Sequence, residues 1–487
     1  MKVKKIKSKY ESLPVQVRAS FWFLICSFLQ KGISMITTPI FTRIMSTSDY
    51  GQYGVFNSWY GIISIIVGLA LTGGVHSQGI IKYDQERSVF SSALQGLSTC
   101  LIIAWFIIYF TFRDFWNSIF SLTTLQMTLM FIIIWITAIF GFWANEQRVK
   151  YSYRLLVVIT LLSSVIKPLL EIGLVIISED KATARILGWA IADVITFGWM
   201  FISLQIGGRT FFSKRFWVYA ISFNLPLVPH YLSQTVLNSA DRIMIERMIG
   251  KSEAGIYTLA YGVSLIMSLF NNALVQTLNP WMYQKIKEKK GHEIAPIAYI
   301  TFIIIAIVNL FLIVLAPEVV AIFAPKEYYE AIYVIPPIAM SVYFMYTYDV
   351  FAKFAFYYEK TTAIMIASVT GAALNILLNY VFIKLYGYVA AGYTTLICFM
   401  VYSVAHYLFM RRICRECCEG KYPFTTNKIL LITIPFLFAG FGLLTTYNYP
   451  VIRYGIVVVA LIVAFIFKRN ITKAIKDILV LRHAGRD

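Results

Sequence analysis

The sequence predicts an all-α membrane protein that crosses the bilayer many times, and three observations lead to this fold class. Of the 487 residues, 59% are hydrophobic and only 14% are charged, and the mean hydropathy is +0.70. Apolar runs of about 20 residues, the length that a helix needs to cross a bilayer, recur from one end of the chain to the other. These runs lack the alternation of short outer-membrane strands. A soluble protein of this length would be far less apolar.

A window of about 19 residues predicts about 14 transmembrane helices. They cover residues 19–40, 53–72, 89–110, 125–143, 155–177, 186–204, 216–238, 255–278, 297–315, 332–351, 363–383, 389–409, 429–446 and 451–467. The side of the membrane that holds the amino terminus has 31 of the 43 Lys and Arg residues, the other side has 10, and two lie mid-span. Because positive charge accumulates on cytoplasmic loops, both termini are predicted to be cytoplasmic. Anionic lipid, and not nucleic acid, is the partner that this charge implies.

The two ends of the chain are predicted to lie at the inner membrane surface. The segment before the first span is basic and polar, and anionic headgroups are expected to attract the five lysines of residues 2–9. No cleavable signal peptide is evident, because this basic segment precedes a full-length span. The tail from Asn470 alternates isoleucines with lysines in a way that predicts an interfacial amphipathic helix.

An internal repeat divides the predicted spans, and its two copies differ in numbering by an offset of 204. Residues 43–53, RIMSTSDYGQY, align without a gap to residues 247–257, RMIGKSEAGIY, with four identities in eleven positions. Tyr153/Tyr357, Leu170/Leu374 and Gly188/Gly392 support the same register more weakly. The sequence therefore predicts two six-helix lobes, residues 1–210 and 211–412, related by a parallel repeat, with two extra helices and the tail in residues 413–487. Parallel-repeat transporters bind substrate where the repeats meet.

Polar side chains form a stripe on the first helix of each predicted lobe. Polar residues of the first span recur at helical spacing, at Gln30, Lys31, Ser34, Thr37 and Thr38. The positions 204 residues later, in and just after the seventh span, are also polar: Gln234, Thr235, Asn238, Asp241 and Arg242. A polar face within a bilayer must contact protein or water rather than lipid. We therefore expect both stripes to line a hydrated, positively charged central cavity.

Three cations are predicted to bind an anionic substrate. Lys31 lies about twelve residues into the first span, roughly 18 Å from its start, where a lysine costs about 2.5–3.5 kcal/mol on insertion scales. Lys167 is also mid-span, and Arg242 ends the seventh span. The alternatives are a Lys31 neutralised by a neighbouring helix, a purely structural i, i+4 pair between Lys167 and Glu171, and an outer-boundary anchor at Arg242.

Carboxylates within the spans are candidates for ion coupling. Asp241, Glu171, Asp193 and Asp349 could each bind a proton or a cation, and the alternative is a carboxylate satisfied by structural hydrogen bonds. A further set of cations lies at the outer ends of the spans and is expected to anchor headgroups or to contact a gate: Arg43 and Arg247.

The sequence lacks the motifs of several common enzyme classes. No GxxxxGK[ST], HExxH or GxSxG motif occurs, so neither P-loop hydrolysis nor a catalytic residue set is predicted. Cys414, Cys417 and Cys418 form a CxxCC cluster on the predicted cytoplasmic side, but a zinc site needs a fourth ligand. Free juxtamembrane thiols are the expectation, with no metal and no cofactor. The predicted spans follow one another closely and leave no long loop, so any function must reside in the helical bundle or at its mouths.

Three segments of the chain are characteristic of a known family: TPIFTRIMSTSDYGQYGVF, NLPLVPHYLSQTVLNSADRIMIERMIGKSEAGIYTLAYGVSLI and YGYVAAGYTTLICFMVY. Through them the chain resembles the Wzx-type polysaccharide-biosynthesis flippases, which share a superfamily with multidrug antiporters and lipid II flippases. It implies two lobes that open alternately, a place in the inner membrane, and a polyprenyl-pyrophosphate-linked oligosaccharide as substrate. Lys31 replaces the carboxylate of the drug-antiporter pattern in the first span, which favours an anionic substrate.

The sequence thus predicts a flippase that moves this lipid to the outer leaflet. Membrane potential, protons or sodium could drive it, and other polysaccharide-assembly proteins are candidate partners. The first alternative is a proton- or sodium-coupled exporter of drugs or metabolites. A polysaccharide polymerase is a second alternative, although such enzymes generally carry a large outer loop or a catalytic domain.

Overall fold

The computed structural model describes residues 15–469. The predicted lipid-facing lysines of residues 2–9 and the predicted amphipathic tail from Asn470 therefore lie outside the described residues. Within the described part of the chain every regular element is helical. The chain divides into two compact units, Met1–Thr235 and Val236–Asp487.

Ten helices lie wholly or partly in the first unit, and the last of them continues into the second. They are α1 Val15–Ile44, α2 Thr47–Gly68, α3 Gly74–Lys82, α4 Arg87–Thr111, α5 Arg113–Phe120, α6 Thr124–Val149, α7 Tyr153–Ile177, α8 Lys181–Gly208, α9 Lys214–Asn224 and α10 Val228–Met248. The second unit continues with α11 Lys251–Ser264, α12 Ser268–Lys287, α13 Ile294–Val314, α14 Ala316–Phe323, α15 Ala331–Tyr357, α16 Thr361–Tyr386, α17 Ala390–Cys417, α18 Thr426–Leu444 and α19 Pro450–Ile466. Short 3₁₀ turns cover Asp84–Glu86, Leu225–Leu227, Leu265–Met267, Gly291–Glu293 and Lys326–Tyr328.

Eleven helical segments of the described chain are long and apolar enough to cross a membrane. Each corresponds to one of the 14 spans predicted from the sequence, and this confirms a polytopic helical fold. The other three predicted spans fall on α2, on α9 with α10, and on α19, which are shorter or more polar. The predicted span 216–238 is not continuous. The turn Leu225–Leu227 interrupts it, because Pro226 has no backbone N–H to donate and its ring clashes with the preceding turn.

Helix ends recur between the units close to the predicted offset. Helix α1 ends at Ile44 and α10 at Met248, while α2 begins at Thr47 and α11 at Lys251. Both separations equal the offset of the sequence repeat. The starts and ends of the short helices α5 and α14 are also separated by this offset to within a single residue. This agreement extends the repeat well beyond the eleven aligned positions.

The offset grows along the repeat. Helix α7 begins at Tyr153 and its counterpart α16 begins at Thr361. Helix α8 begins at Lys181 and its counterpart α17 begins at Ala390. In each pair the two starting residues are further apart in the sequence than the repeat offset of 204. The identity Gly188/Gly392 therefore joins the eighth residue of α8 to the third residue of α17, so this pair does not occupy equivalent helical positions. The division into residues 1–210, 211–412 and 413–487 stays a prediction.

In the first unit α8 is the central helix, and it packs against α7, α6, α4 and α2. A glycine brings α7 and α8 together: a Cβ atom at Gly188 would lie 2.7 Å from the Cα atom of Glu171. Only a residue without a side chain fits there. The close approach sets charged residues of both helices side by side.

In the second unit α15 is the central helix. In the apolar 18-residue stretch of this helix, 83% of the residues are buried. It packs against α17, α11, α13 and α12. Helix α18 lies on α13 and α15, where the hydroxyls of Tyr343 and Thr433 are 2.8 Å apart. Buried Arg453 pairs with Glu318 and so ties α19 to α14.

Candidate functional site

The polar stripe of α1 lies on its exposed side. The side chains of Gln30, Lys31 and Ser34 are exposed, and Thr38 is half-buried with its hydroxyl donating to the Ser34 carbonyl over 2.8 Å. In the apolar 18-residue stretch of α1, only 6% of the residues are buried. The helix packs chiefly against α7. The Lys31 ammonium group is therefore accessible to a ligand in this structure.

A buried ion pair joins α7 to α8 in the first unit. The Nε atom of Arg185 donates to the Glu171 carboxylate over 3.2 Å, and both residues are buried. The guanidinium carbon of Arg185 also lies 3.6 Å from the ring centroid of Phe41 and 3.7 Å from that of Tyr53. Arg185 thus links four helices, since Phe41 belongs to α1 and Tyr53 to α2.

Lys167 and Asp193 lie beside this pair. The Nζ atom of Lys167 is 3.7 Å from the ring centroid of Trp189, and the indole N–H of Trp189 donates to Asp193 over 2.7 Å. Lys167 interacts electrostatically with the carboxylates of Asp193 and Glu171 and with the Arg185 guanidinium. The four charged groups sum to zero, which lowers the cost of burying them in a membrane.

The partner of Glu171 differs from the one that its spacing indicates. An i, i+4 pair with Lys167 is one alternative that the sequence allows, but the structure places Glu171 on Arg185 instead. Arg185 is not among the residues predicted from the sequence, because it lies one residue before the predicted span 186–204. Helix α8 begins at Lys181, so Arg185 belongs to the helix.

In the second unit a carboxylate of α10 lies among neutral donors. The buried Asp241 accepts hydrogen bonds from the hydroxyl of Tyr257 over 2.5 Å, from the amide of Asn379 over 2.5 Å and from the hydroxyl of Thr395 over 2.8 Å. All three of these hydrogen-bond donors are neutral side chains. They come from α11, α16 and α17, so four helices meet at one carboxylate.

Further amides and hydroxyls surround this group. The hydroxyl of Thr394 donates to the side-chain oxygen of Asn379, whose amide nitrogen also lies 3.2 Å from the side-chain oxygen of Asn375. A buried carboxylate beside oxygen atoms of amides and hydroxyls can gain a proton or a small hard cation, because either removes uncompensated charge. The Asp241 cluster, as we call residues Asp241, Tyr257, Asn375, Asn379, Thr394 and Thr395, therefore brings one titratable carboxylate together with several amide and hydroxyl oxygen atoms.

The rest of the α10 stripe lies next to the Asp241 cluster. Arg242 is half-buried, donates to the Asn238 carbonyl over 2.6 Å, and lies with its guanidinium carbon 4.5 Å from the ring centroid of Tyr261. The hydroxyl of Tyr261 donates to the Asn238 side chain over 3.1 Å. Gln234 is half-buried one turn earlier.

The remaining predicted residues lie apart from these clusters. Asp349, a predicted candidate for ion coupling, pairs over 2.9 Å with Lys353 one turn later. Arg43 is exposed and donates to the Pro39 carbonyl of its own helix over 2.8 Å, and Arg247 is exposed at the end of α10. Cys414 is buried, and the thiol of Cys418 lies 3.3 Å from the hydroxyl of Tyr358.

The sequence carried a signal for part of the Asp241 cluster. Asn375 and Asn379 are one turn apart within the predicted span 363–383, and Thr394 and Thr395 lie within the span 389–409. The helical spacing of polar residues in spans eleven and twelve therefore indicates these four residues, although it does not indicate Asp241 as their partner.

The fold is that of a multi-span membrane protein, and comparisons with known proteins place the chain in a family. Residues 17–286, more than half of the chain, match the family described as Polysaccharide biosynthesis protein, and the chain belongs to this family. Residues 226–381 also match the family described as MatE. These matches confirm the resemblance that the sequence segments indicated.

Curated relatives are distant but cover most of the chain. Lsg locus putative protein 1 of Haemophilus influenzae is 21% identical in an alignment of 372 positions that covers 73% of this chain and 88% of that protein. The probable low-salt glycan biosynthesis flippase Agl15 of Haloferax volcanii is 22% identical in an alignment of 422 positions that covers 80% of this chain and 83% of that protein.

Solved structures share the fold. Lipid II flippase MurJ in an inward closed conformation superposes with a TM-score of 0.71 at 14% identity, over 92% of this chain and 99% of that one. A multidrug resistance MATE family transporter of the MOP superfamily, facing inward, gives 0.61 at 15% identity, over 80% and 96%. These structures and this chain therefore share a polytopic helical membrane fold.

Proposed function

We propose that this protein moves polyprenyl-pyrophosphate-linked oligosaccharide units from the cytoplasmic to the outer leaflet of the inner membrane, by alternating access, for surface polysaccharide synthesis. Membership of the polysaccharide biosynthesis family supports the substrate class, and the probable function of Agl15 is of the same kind. The single observation that carries the proposal is the exposed Lys31 on a polar face of a membrane helix. A pyrophosphate needs such a cation in place of its hydration shell.

The cations have separate parts in this proposal. Lys31 is exposed and available, so it makes the first contact with the pyrophosphate. The cationic groups of Lys167 and Arg242 lie over the rings of aromatic residues, and an anionic ligand would compete with these rings for the two cations. Outward movement of negative charge is favourable in an inside-negative cell by about 2.3 kcal/mol per charge per 100 mV, so the membrane potential can contribute to the driving force.

We further propose that Asp241 couples transport to return of a proton or a sodium ion. A carboxylate held by Tyr257, Asn379 and Thr395 is well placed for this, because those donors belong to three other helices. Loading or emptying the carboxylate would change the hydrogen bonds that hold four helices together. Glu171 is less suited, because Arg185 donates directly to its carboxylate, whereas Arg242 interacts with Asp241 only electrostatically.

Replacement of Lys31 tests the proposal. In a strain that depends on this protein for its polysaccharide, Lys31→Ala should abolish surface polysaccharide while the amount of membrane-inserted protein stays unchanged, and Lys31→Arg should retain it. Arg113→Ala is the matched control, because Arg113 is an exposed cation of the same unit at the start of α5. Normal polysaccharide in the Lys31→Ala strain would remove Lys31 from the mechanism.

A second candidate function is a proton- or sodium-coupled exporter of drugs or metabolites. The observation that favours it is the buried Asp241 on a fold shared with a multidrug transporter. This alternative predicts that expression raises resistance to cationic compounds and that Lys31→Ala leaves the resistance intact. Growth in the presence of such compounds, measured beside polysaccharide production, separates the two functions.

A further inference from the structure

A cavity of about 330 Å³ lies in the second unit among the ends of several helices. Ile286, Phe354 and Pro423 provide an apolar floor. Lys289, Glu419 and Lys421 stand around the opening. None of these residues belongs to the clusters described above, and no part of the proposed transport reaction uses them.

The cavity is at the depth where lipid headgroups lie. Helices α12, α15 and α17 end beside it, and α13 and α18 begin beside it. Since these helices contribute membrane-spanning segments, their ends mark the boundary between hydrocarbon and water. This boundary belongs to the basic side of the chain, which the sequence predicts to be cytoplasmic.

The opening of the cavity carries two cations held by one carboxylate. Glu419 pairs with Lys289 over 3.3 Å and with Lys421 over 3.0 Å, and all three side chains are largely exposed. Lys421 and Lys289 hold the pKa of the Glu419 carboxyl below its usual value, so this group is ionised at neutral pH. Exposed pairs of this kind contribute little to stability, so an incoming anion can displace Glu419 at low cost.

More positive charge lies next to the opening. The guanidinium carbon of Arg411 is 4.6 Å from the ring centroid of Tyr422, which also lines the cavity. Arg415 lowers the pKa of the Tyr422 hydroxyl through a hydrogen bond. A basic rim above an apolar floor matches a ligand with an anionic head and an apolar body.

We propose that this cavity binds an anionic phospholipid, with its phosphate between Lys289 and Lys421 and its glycerol backbone over Ile286 and Phe354. Basic pockets between helix ends on the cytoplasmic side are suited to such headgroups. A water-soluble phosphate would use the two lysines but gain nothing from the apolar floor. The bound lipid anchors the ends of α12 and α17, and this role is separate from recognition of the transported substrate.

The thiol of Cys418 lines the cavity and reports its occupancy. The full chain is placed in nanodiscs of phosphatidylcholine alone or of phosphatidylcholine with phosphatidylglycerol, and alkylation at Cys418 is followed by peptide mass spectrometry. Phosphatidylglycerol should slow the alkylation. Equal rates in the two lipids would overturn the proposal, and so would equal slowing by inorganic phosphate in phosphatidylcholine discs.

Three variants sharpen the result. Each lysine near an anionic surface contributes about 1 kcal/mol, so Lys289→Gln should reduce the protection by phosphatidylglycerol about fivefold. Lys290→Gln is the matched control, because Lys290 is the next residue, is exposed, pairs with Glu288 over 3.3 Å, and does not line the cavity. Glu419→Gln should increase the protection, because it removes the competing carboxylate. Loss of protection in Glu419→Gln would assign these lysines a structural role only and contradict lipid binding.

Discussion

Asp241→Asn should abolish transport while the protein still folds and reaches the membrane. The substitution keeps the size of the side chain but removes the only group of the Asp241 cluster that can gain a proton or neutralise a cation. It also places an N–H₂ group where Tyr257, Asn379 and Thr395 donate, and each donor left without an acceptor costs about 1–3 kcal/mol. Transport of a lipid-linked oligosaccharide and the melting temperature in detergent are measured together, so that loss of coupling is distinguished from loss of fold.

The control and the coupling ion come from the same assay. Asp114→Asn changes an exposed carboxylate near the start of α5 and should transport normally. If sodium is the ion, transport by the unmodified protein rises with sodium at constant pH. If the ion is a proton, transport persists without sodium and stops when a protonophore is added. Full activity of Asp241→Asn under both conditions would exclude coupling through this carboxylate.

Arg185→Met should be among the most destabilising single substitutions in the first unit. It removes one partner of a buried ion pair and leaves the Glu171 carboxylate without its hydrogen-bonded cation, which typically costs about 3–5 kcal/mol. The substitution also removes the guanidinium from between Phe41 and Tyr53. Thermal unfolding in detergent should show a clear fall in melting temperature, whereas Arg43→Met, at an exposed arginine, should change it little.

The double variant isolates the charge effect. Because Glu171→Gln removes the carboxylate charge that loses its ion-pair partner in Arg185→Met, the double variant should be more stable than Arg185→Met alone. A double-mutant cycle over the four proteins gives the coupling energy between the two side chains. Additive losses would contradict a direct ion pair as the source of the instability.

The membrane fold follows from the sequence because long apolar runs have few alternatives in a bilayer. Hydropathy therefore located eleven spans that the structure confirms. The interruption at Leu225–Leu227 is harder to predict from the sequence, because a proline within a transmembrane helix is often tolerated. Helix α1, for example, continues through Pro39, and α7 continues through Pro168. Which proline ends a helix depends on the surrounding packing, and hydropathy does not contain that information.

The polar sites were only partly predictable, for a related reason. Spacing identifies which residues share a helix face, so the stripe that contains Asp241 was visible. It does not identify partners on other helices, and Asn379 lies 138 residues from Asp241 in the chain. Glu171 shows the same limit, because a local partner at i, i−4 was available and the structure uses Arg185 instead. The pair of Asp349 and Lys353, in contrast, is local and could have been identified by spacing alone.

Reconstitution with a defined lipid-linked oligosaccharide tests the central proposal most directly. The purified protein is placed in liposomes that carry a polyprenyl-pyrophosphate oligosaccharide with a labelled sugar in one leaflet, and a sugar-binding probe measures the label that reaches the other leaflet. We predict rapid exposure of the label with the unmodified protein, none with Lys31→Ala, and normal exposure with Arg113→Ala. Exposure no faster than in protein-free liposomes, together with export of cationic compounds by the same preparation, would contradict flipping of lipid-linked oligosaccharide.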